Sequence, residues 1–264
     1  MSRKMTYLND SYETWLDHVK KNGLDFRYTP PEFVTRELCV VALKMDGTNM
    51  KYVPVGLIDS KLCEFAVKCS AFALRYVPDE FKTLKMCEHA VNEFGITLEH
   101  VPIDFISKKL CRVAVQRDGN ALKWVPIRYK TPKICLIAMN NDRRAFPYVP
   151  WKHKTEEMSL TAVNEEAYML RQVPEKFRTE TICRIALEKH AFELEYVVNK
   201  TPELCLIAVK ASGGTLRYVP DEMKTLELCL IAVEEDGRAL EYVPDAMKTL
   251  ELCLMAMVED ACAL

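Results

Sequence analysis

The sequence predicts an all-α fold: a right-handed α-solenoid of about eleven repeats, most of them 24 residues long. Two columns of identical residues at that period carry the prediction. The proline of the phrase YVP recurs at Pro30, Pro54, Pro78, Pro102, Pro126, Pro150 and Pro174, and returns at Pro220 and Pro244. An alanine recurs at Ala42, Ala66, Ala90, Ala114, Ala138, Ala162, Ala186, Ala208, Ala232 and Ala256. One copy is irregular at 196–205, where two residues are missing and Val198 holds the proline position.

The first element of each copy is a helix that begins after a Ser, Thr or Asp, whose side chain can accept from the free N–H groups of the first turn. These N-caps are Ser11, Thr35, Asp59, Thr83, Ser107, Thr131, Thr155, Thr179, Thr201, Thr225 and Thr249. Pro132 and Pro202 follow two of them, at the one helical position where a missing N–H costs nothing. Later in six copies stands a glycine that suits a left-handed residue at a helix end: Gly23, Gly47, Gly95, Gly119, Gly213 and Gly237. The pattern predicts eleven helices of about three turns.

The second element comes from phrases such as RALEYVP at 238–244, which are too short for another full helix. The residue before a proline also avoids the helical region, so we expect a short α or 3₁₀ turn and a corner. The leucine, aromatic and valine columns, represented by Leu240, Tyr242 and Val243, are predicted to form the second layer of the core. An apolar column follows them: Phe33, Leu57, Phe81, Phe105, Tyr129, Phe177, Met223 and Met247.

The repeat predicts a single elongated domain of roughly 100 Å, because neighbouring helix axes lie about 8–10 Å apart. Residues 1–30 are predicted to form a degenerate N-terminal capping repeat, with Trp15 in the cysteine position and His18 in the alanine position. Residues 31–264 are predicted to form the continuous solenoid. The last copy adds an apolar row of Leu250, Leu254 and Val258 without a closing YVP corner. We therefore expect either a truncation of a longer array or a homodimer through the C-terminal repeat.

Nine of the eleven cysteines share one column, next to the alanine column on the predicted buried face. They are Cys39, Cys63, Cys87, Cys111, Cys135, Cys183, Cys205, Cys229 and Cys253, and Ser159 fills the remaining position. Equivalent residues of stacked helices lie too far apart for a disulfide, and the chain has no CxxC pair for zinc. We therefore expect packed thiols and a reducing, cytoplasmic compartment, of the producing cell or of a host cell. Cys69 and Cys262 lie off the column and are expected to be the reactive thiols.

The remaining composition excludes several classes of protein. Hydrophobic residues make up 49% and charged residues 28% of the chain, and no apolar run approaches the length of a membrane helix. The first residues contain no apolar segment of a secretory leader. No HExxH, GxSxG, P-loop or dinucleotide motif is present, and the five histidines are scattered. We expect no catalytic residue, no metal, no cofactor and no membrane association.

The repeated phrases LRYVPDEFKTLKMC, ALKWVP, KTPKICLIAM and ALEYVPDAMKTLELCLIAV resemble the uncharacterised DUF4116-type family of short helical repeats, from about residue 24 to residue 264. The resemblance implies a kind of repeat found in bacteria that live in or on eukaryotic cells, and in some protists and viruses. That family has no established catalytic residues, so the resemblance implies none here. Residues 140–173 depart most from the pattern.

Charge is segregated along the chain. Residues 108–154 contain twelve Lys or Arg and two Asp, which is a net charge of +10 in a chain of net charge −2. Trp124 and Trp151 are new aromatics in this stretch, and Arg143 replaces the Gly or Ala of every other copy. A second column of bases just before the N-caps is predicted to attract anions: Lys82, Lys130, Lys154, Arg178, Lys200, Lys224 and Lys248.

The basic and aromatic stretch predicts a non-enzymatic protein-binding scaffold, effector-like or inhibitor-like, that captures an acidic partner. The predicted partner-binding residues are Lys123, Trp124, Arg128, Tyr129, Lys130, Arg143, Arg144, Tyr148, Trp151, Lys152, His153 and Lys154. The alternative is that the same residues bind RNA or single-stranded DNA, since clustered bases suit phosphates and exposed aromatics stack on bases.

Overall fold

A computed structural model describes residues 11–259 and confirms the all-α repeat. Eleven α-helices, each of ten residues, lie in this range, and it contains no strand. They are α1 (Tyr12–Lys21), α2 (Arg36–Met45), α3 (Ser60–Cys69), α4 (Leu84–Glu93), α5 (Lys108–Arg117), α6 (Pro132–Asn141), α7 (Glu156–Glu165), α8 (Glu180–Lys189), α9 (Pro202–Ala211), α10 (Leu226–Glu235) and α11 (Leu250–Glu259). The predicted number and length of the helices are thus confirmed.

The predicted short turn and corner after the α-helix are confirmed, and in most copies they take the form of two 3₁₀ helices. The first has six residues: Gly23–Tyr28, Gly47–Tyr52, Ala71–Tyr76, Gly95–His100, Gly119–Trp124, Arg143–Tyr148, Ala167–Gln172, Ala191–Tyr196, Gly213–Tyr218 and Gly237–Tyr242. The second has three residues and follows the proline corner: Pro31–Phe33, Val55–Leu57, Asp79–Phe81, Ile103–Phe105, Ile127–Tyr129, Trp151–His153, Glu175–Phe177, Asp221–Met223 and Asp245–Met247. The irregular copy at 196–205 has no corner helix, because the residues that would form it are missing.

The copies form two compact units, Met1–Tyr148 and Val149–Leu264. Within the first unit, α1 to α6 pack side by side, and the six-residue 3₁₀ helices pack side by side as a second layer. Each later α-helix also contacts the 3₁₀ helices before and after it, as α4 does with Ala71–Tyr76 and Gly95–His100. The second unit repeats this arrangement from α7 to α11. The layers therefore close a core between the α-helices and the longer 3₁₀ helices.

The core is built from the predicted columns, with two exceptions: the aromatic column, and the apolar column of the corner helices, whose members such as Phe33 and Phe81 are half-buried. Leu38, Cys39 and Ala42 on α2 are fully buried, as are Leu74 and its equivalents on the 3₁₀ layer. The aromatic column is not part of the core: the side chains of Tyr52, Tyr76 and Trp124 are half-buried and that of Tyr28 is exposed. The aromatic rings end the 3₁₀ helices and lie at the surface of the second layer, where they are available to ligands.

The predicted N-caps are confirmed. Ten of the eleven side chains accept a hydrogen bond from the backbone N–H three residues later, for example Thr35 Oγ1 from Leu38 at 3.2 Å. Thr179 is the exception. Pro132 and Pro202 stand at the first helical position, as predicted. The capping residues therefore define where each copy begins.

The predicted role of the glycines is wrong, because no described residue has a positive φ. Each of the helices α1 to α10 ends on a residue with extended backbone, such as Asp46 with φ −154°. The glycine follows that residue and opens the 3₁₀ helix. A Cβ on Gly47 would lie 2.2 Å from the carbonyl oxygen of Ala66, and one on Gly95 would lie 2.1 Å from that of Ala114. Glycine is used here for close contact with the next α-helix, and not for a left-handed turn.

The cysteine column is packed as predicted. Eight of its nine members are buried, and all ten cysteines of the described residues are free thiols. Burial raises the pKa of six of them to about 11, so these thiols are protonated at neutral pH. Cys69 is exposed, as the sequence predicts, and Cys262 lies outside the described residues.

Candidate partner-binding surface

Eight of the twelve predicted binding residues belong to the first unit, where two adjacent 3₁₀ helices and one corner position them. Lys123 and Trp124 end the helix Gly119–Trp124, and the Lys123 ammonium lies 4.6 Å from the centroid of the Trp124 ring. Arg128 and Tyr129 share the corner helix, with the guanidinium 4.9 Å from the tyrosine ring. The two cations are exposed and the two rings are half-buried. Each ring thus holds its neighbouring cation in place at the surface.

Arg143, Arg144 and Tyr148 lie on the next 3₁₀ helix, which packs directly against Gly119–Trp124. Arg144 forms an ion pair with Asp142 at 2.9 Å, and the Arg144 amide also donates to that carboxylate. The same pairing lowers the pKa of Asp142 against the effect of its partial burial. Arg143 and Arg144 are both exposed, so this helix adds two guanidinium groups to the surface.

Lys130 has an internal partner. Its ammonium donates to the carbonyl of Tyr148 at 3.1 Å, across 18 residues, and burial lowers its pKa. That carbonyl belongs to the last residue of the next 3₁₀ helix, where carbonyls lack helical partners. The bond fastens the corner of one copy to the second layer of the following copy.

The same bond recurs along the basic column. Lys82 donates to His100 at 2.8 Å, Lys154 to Gln172 at 2.6 Å, Arg178 to Tyr196 at 2.7 Å and Lys224 to Tyr242 at 2.9 Å. We define these four bases, together with Lys130, as the strap residues. Val34, Ile58 and Ile106 fill the same position in other copies, so the part of the side chain nearest the backbone is apolar in all of them. The prediction of an anion-attracting edge is therefore corrected for five of its seven residues, which are structural donors that link successive copies. The other two, Lys200 and Lys248, donate to Val197 and Asp245 within their own copies.

The other four predicted residues, Trp151, Lys152, His153 and Lys154, lie at the start of the second unit. Trp151 is 56% exposed, and the Lys154 ammonium lies 4.3 Å from its ring centroid. Lys154 itself is only 4% exposed, and burial lowers its pKa to about 8. Lys154 is therefore a strap residue beneath Trp151, and it is corrected from a binding residue to a supporting one.

The basic stretch at 108–154 does not form one surface. Lys108, Lys109 and Arg112 are exposed on α5, in the α layer of the first unit. Arg117 ends the same helix, and its guanidinium donates to Asn92 on α4 at 3.1 Å. Lys123 and Arg128 belong to the 3₁₀ layer and its corner. The net charge of +10 is thus divided between two layers.

An exposed aliphatic residue in the same corner was missed by the sequence analysis. Ile127 is 72% exposed, directly before Arg128. Ile103 and Val55 occupy the same position in other copies, and Val55 is 86% exposed. An acidic residue holds this position in four other copies, Asp79, Glu175, Asp221 and Asp245, and the change from an acidic to an aliphatic residue after the proline is the signal that could have identified it.

Two further properties limit the chemistry of this surface. No group of three His, Cys, Asp or Glu in the described range could hold a metal ion. No helix from α1 to α11 is long and apolar enough to span a bilayer. The surface therefore offers cations, half-exposed rings and Ile127, which are groups that bind other surfaces.

Comparison with known proteins gives one family model that matches part of the chain. No curated protein and no solved structure matches the chain. The resemblance noted in the repeated phrases is confirmed for residues 201–248, which match the uncharacterised family described as domain of unknown function (DUF4116).

Proposed function

We propose that this chain is a non-enzymatic protein-binding scaffold whose first unit captures an acidic patch on another protein, in order to inhibit or recruit it. The observation that carries the proposal is the corner Ile127–Tyr129, where an aliphatic side chain that is 72% exposed stands next to an exposed arginine. Binding hot spots combine an apolar anchor with arginine or aromatic residues in this way. Lys123, Arg143 and Arg144 extend the cationic surface beside it.

Nucleic acid is the less favoured ligand of this surface. A phosphate backbone gains no favourable contact from an exposed isoleucine, and base stacking needs an open ring face. The ring faces of Trp124 and Tyr129 each carry a neighbouring cation instead. Two acidic residues, Asp118 and Asp142, also lie on these elements. The groups present thus fit carboxylates and apolar side chains of a protein better than they fit phosphates and bases.

The free thiols support a place of action in a reducing compartment. Eight thiols are buried in the core as packing groups. Disulfides form and persist in oxidising compartments, so free packed thiols are typical of a reducing one. We propose the cytoplasm of the producing cell or of a host cell. Alkylation of free thiols in intact cells that contain the protein, followed by lysis and fractionation, checks this: a pool with oxidised cysteines contradicts it.

Matched substitutions test the binding proposal. A partner is first identified by affinity capture and mass spectrometry, and its affinity is then measured with purified proteins. Arg128→Glu and Ile127→Asp should each weaken binding at least tenfold. Arg112→Glu makes the same charge change on α5, and Val55→Asp makes the same polarity change at another corner, so both should leave the affinity within twofold of the parent.

The same variants distinguish the alternative. Labelled RNA and single-stranded DNA are titrated at about 50 mM and 200 mM salt, because phosphate contacts weaken steeply over that range. Nucleic-acid binding that Arg128→Glu abolishes, together with unaffected protein binding, would replace the proposal with its alternative. Circular dichroism is the control that each variant keeps the helical fold.

A further inference from the structure

The 3₁₀ layer of the first unit carries a regular row of rings outside the candidate surface. The first five six-residue 3₁₀ helices each end with an aromatic residue or histidine that follows a charged residue, whereas Pro147 precedes Tyr148 in the sixth. We define this row as the aromatic strip: Arg27–Tyr28, Lys51–Tyr52, Arg75–Tyr76, Glu99–His100 and Lys123–Trp124. In four of these five pairs the cation lies over the ring, at 4.5, 4.7, 5.2 and 4.6 Å from its centroid. The strip therefore presents one fixed cation per copy, except in the copy with Glu99.

The spacing of the strip is set by the stacking of the copies. The Lys51 ammonium lies 4.7 Å from the Tyr52 centroid and 5.9 Å from the Tyr76 centroid, so the two rings are at most 10.6 Å apart, the sum of these distances. Packed helices are about 8–10 Å apart, which agrees with that limit. A polyproline II helix advances about 9.3 Å in each turn of three residues. A peptide in this conformation therefore presents the same side of its chain once per copy.

One groove between the rings is largely apolar. Phe72, Tyr76, Ile96 and His100 line this groove of about 290 Å³ on adjacent 3₁₀ helices, together with Arg75 and Glu99. Phe72 is partly exposed and packs on Phe94, with ring centroids 4.7 Å apart. Aromatic-lined grooves of this kind bind the preformed polyproline II helix, because its ordering costs little entropy. The strip thus combines an apolar floor with a row of cations.

The cations favour a carboxylate-bearing peptide over a nucleic acid. Each lies over the face of its ring, which is the face that a base would need for stacking. Phe72 already uses its ring against Phe94. Glu99 would repel a continuous phosphate backbone, whereas a peptide can place an uncharged residue opposite it.

We propose that the aromatic strip binds an extended polyproline II segment of the partner, with an acidic residue at every third position. The inference deepens the proposed function, and it rests on that function for the existence of a protein partner, since Lys123 and Trp124 belong to both surfaces. The carboxylates pair with Arg27, Lys51, Arg75 and Lys123, and the intervening residues pack on the apolar side chains between the rings, such as Phe72 and Ile96. The corner with Ile127 then contacts the folded part of the partner.

A synthetic ligand tests the strip without the natural partner. The probe is a fluorescent peptide of five Glu-Pro-Pro triplets, roughly 46 Å long as a polyproline II helix, titrated against the full chain by anisotropy at about 50 mM salt. The parent should bind it, and the double change Lys51→Glu with Arg75→Glu should raise Kd at least tenfold. Glu99→Lys should lower Kd severalfold, because it completes the row of cations. A gain of affinity cannot arise from a misfolded variant.

The controls separate shape from charge and this inference from the proposed function. A peptide of five Glu-Gly-Gly triplets has the same charge without the preformed helix, and equally tight binding of it overturns the inference. No change with Lys51→Glu and Arg75→Glu, or tighter binding of a uridine 15-mer than of the probe, also overturns it. Arg112→Glu, which makes the same charge change on α5, should leave Kd for the probe within twofold. If Lys51→Glu with Arg75→Glu leaves probe binding unchanged while Arg128→Glu still weakens partner binding, the strip alone is refuted. If the strip variant weakens probe binding while Arg128→Glu leaves partner binding unchanged, the proposed function alone is refuted.

Discussion

The buried cysteine column is expected to make this protein less stable at alkaline pH. Six thiols have a folded-state pKa of about 11, raised by burial from an ordinary value of 9.0. The folded chain keeps these protons while the unfolded chain releases them between about pH 9 and pH 11. The stability contributed by the protonated thiols is therefore complete below pH 9 and is lost as the pH rises through 11.

The size of the effect follows from the shift. At pH 10 each such thiol lowers the free energy of unfolding by about 1.4 kcal/mol, the equivalent of one pKa unit. Six of them together lower it by up to about 8 kcal/mol, which is comparable with the whole stability of a typical domain, about 5–15 kcal/mol. We expect little change between pH 7 and pH 8 and a steep loss above pH 9.

The test is urea unfolding under reducing conditions at pH 7, 9 and 10, for the parent and for a triple variant with Cys63→Ser, Cys87→Ser and Cys111→Ser. Serine is the matched replacement because Ser159 already fills this position, where its hydroxyl donates to the carbonyl of Thr155 at 2.8 Å. The triple variant should lose about 4 kcal/mol less than the parent between pH 7 and pH 10.

Two results would refute this reasoning. One is an equal loss of stability in the parent and the triple variant, which would mean that groups other than the column thiols cause the loss at alkaline pH. The other is an equal benefit from Cys69→Ser, since Cys69 is exposed and lies off the column. Comparison within one pH series cancels the titration of lysines and tyrosines that all variants share.

Four further predictions concern single positions. Gly95→Ala should lower the free energy of unfolding by about 1–3 kcal/mol, because its Cβ would lie 2.1 Å from a backbone oxygen. Gly56→Ala, with nothing within 4 Å of its Cβ, should be neutral or stabilising by up to about 1 kcal/mol. Equal effects of the two changes in thermal denaturation would contradict the close-contact role of Gly95. Burial raises the pKa of Glu193, and its Oε2 has no hydrogen-bond partner, so stability should fall as the pH rises through that pKa and Glu193→Ala should help more at pH 8 than at pH 4. Lys154→Glu should destabilise by about 3 kcal/mol through a buried unpaired carboxylate, and Lys154→Ile should cost less than about 1.5 kcal/mol; a reversed order in urea would count against the strap. Under native conditions a thiol reagent should modify Cys69 before any buried column cysteine, as peptide mapping would show.

Much of the fold could be predicted because the signals are local. A threonine before an apolar helix face can accept from the third N–H whatever lies around it, and Thr35 does so. Proline likewise fixes the corner within its own segment. The irregular copy was visible for the same reason, since the residues of its corner helix are missing from the sequence.

The errors arise where the partner lies in the next copy. Gly47 resembles a helix-ending glycine, and only the carbonyl of Ala66 on the following helix explains it. Lys82 resembles a surface cation near a helix start, and its acceptor is 18 residues away. The exchange of lysine with Ile58 and Ile106 at that position was the available signal, because a site that accepts isoleucine has a buried stem.

The candidate surface was predicted only in part, for a related reason. Charge along the sequence does not show which layer a residue occupies, so Arg112 and Arg128 were grouped together although they lie on α5 and on a corner helix. Burial of Lys154 could not be inferred from its type. The exposed face of the last helix, in contrast, agrees with the apolar row in the sequence: Leu254 is 54% and Val258 82% exposed on α11.

The strap hydrogen bonds have a consequence for how such an array can change in length. Each bond joins one copy to the next and spans 18 residues, as in Lys224 to Tyr242. An in-frame duplication or deletion of 24 codons preserves the donor, the acceptor and the interval between them in the copies that remain. Such a gene can therefore gain or lose whole copies by recombination between its own repeats, and the length of the surface it encodes changes in equal steps.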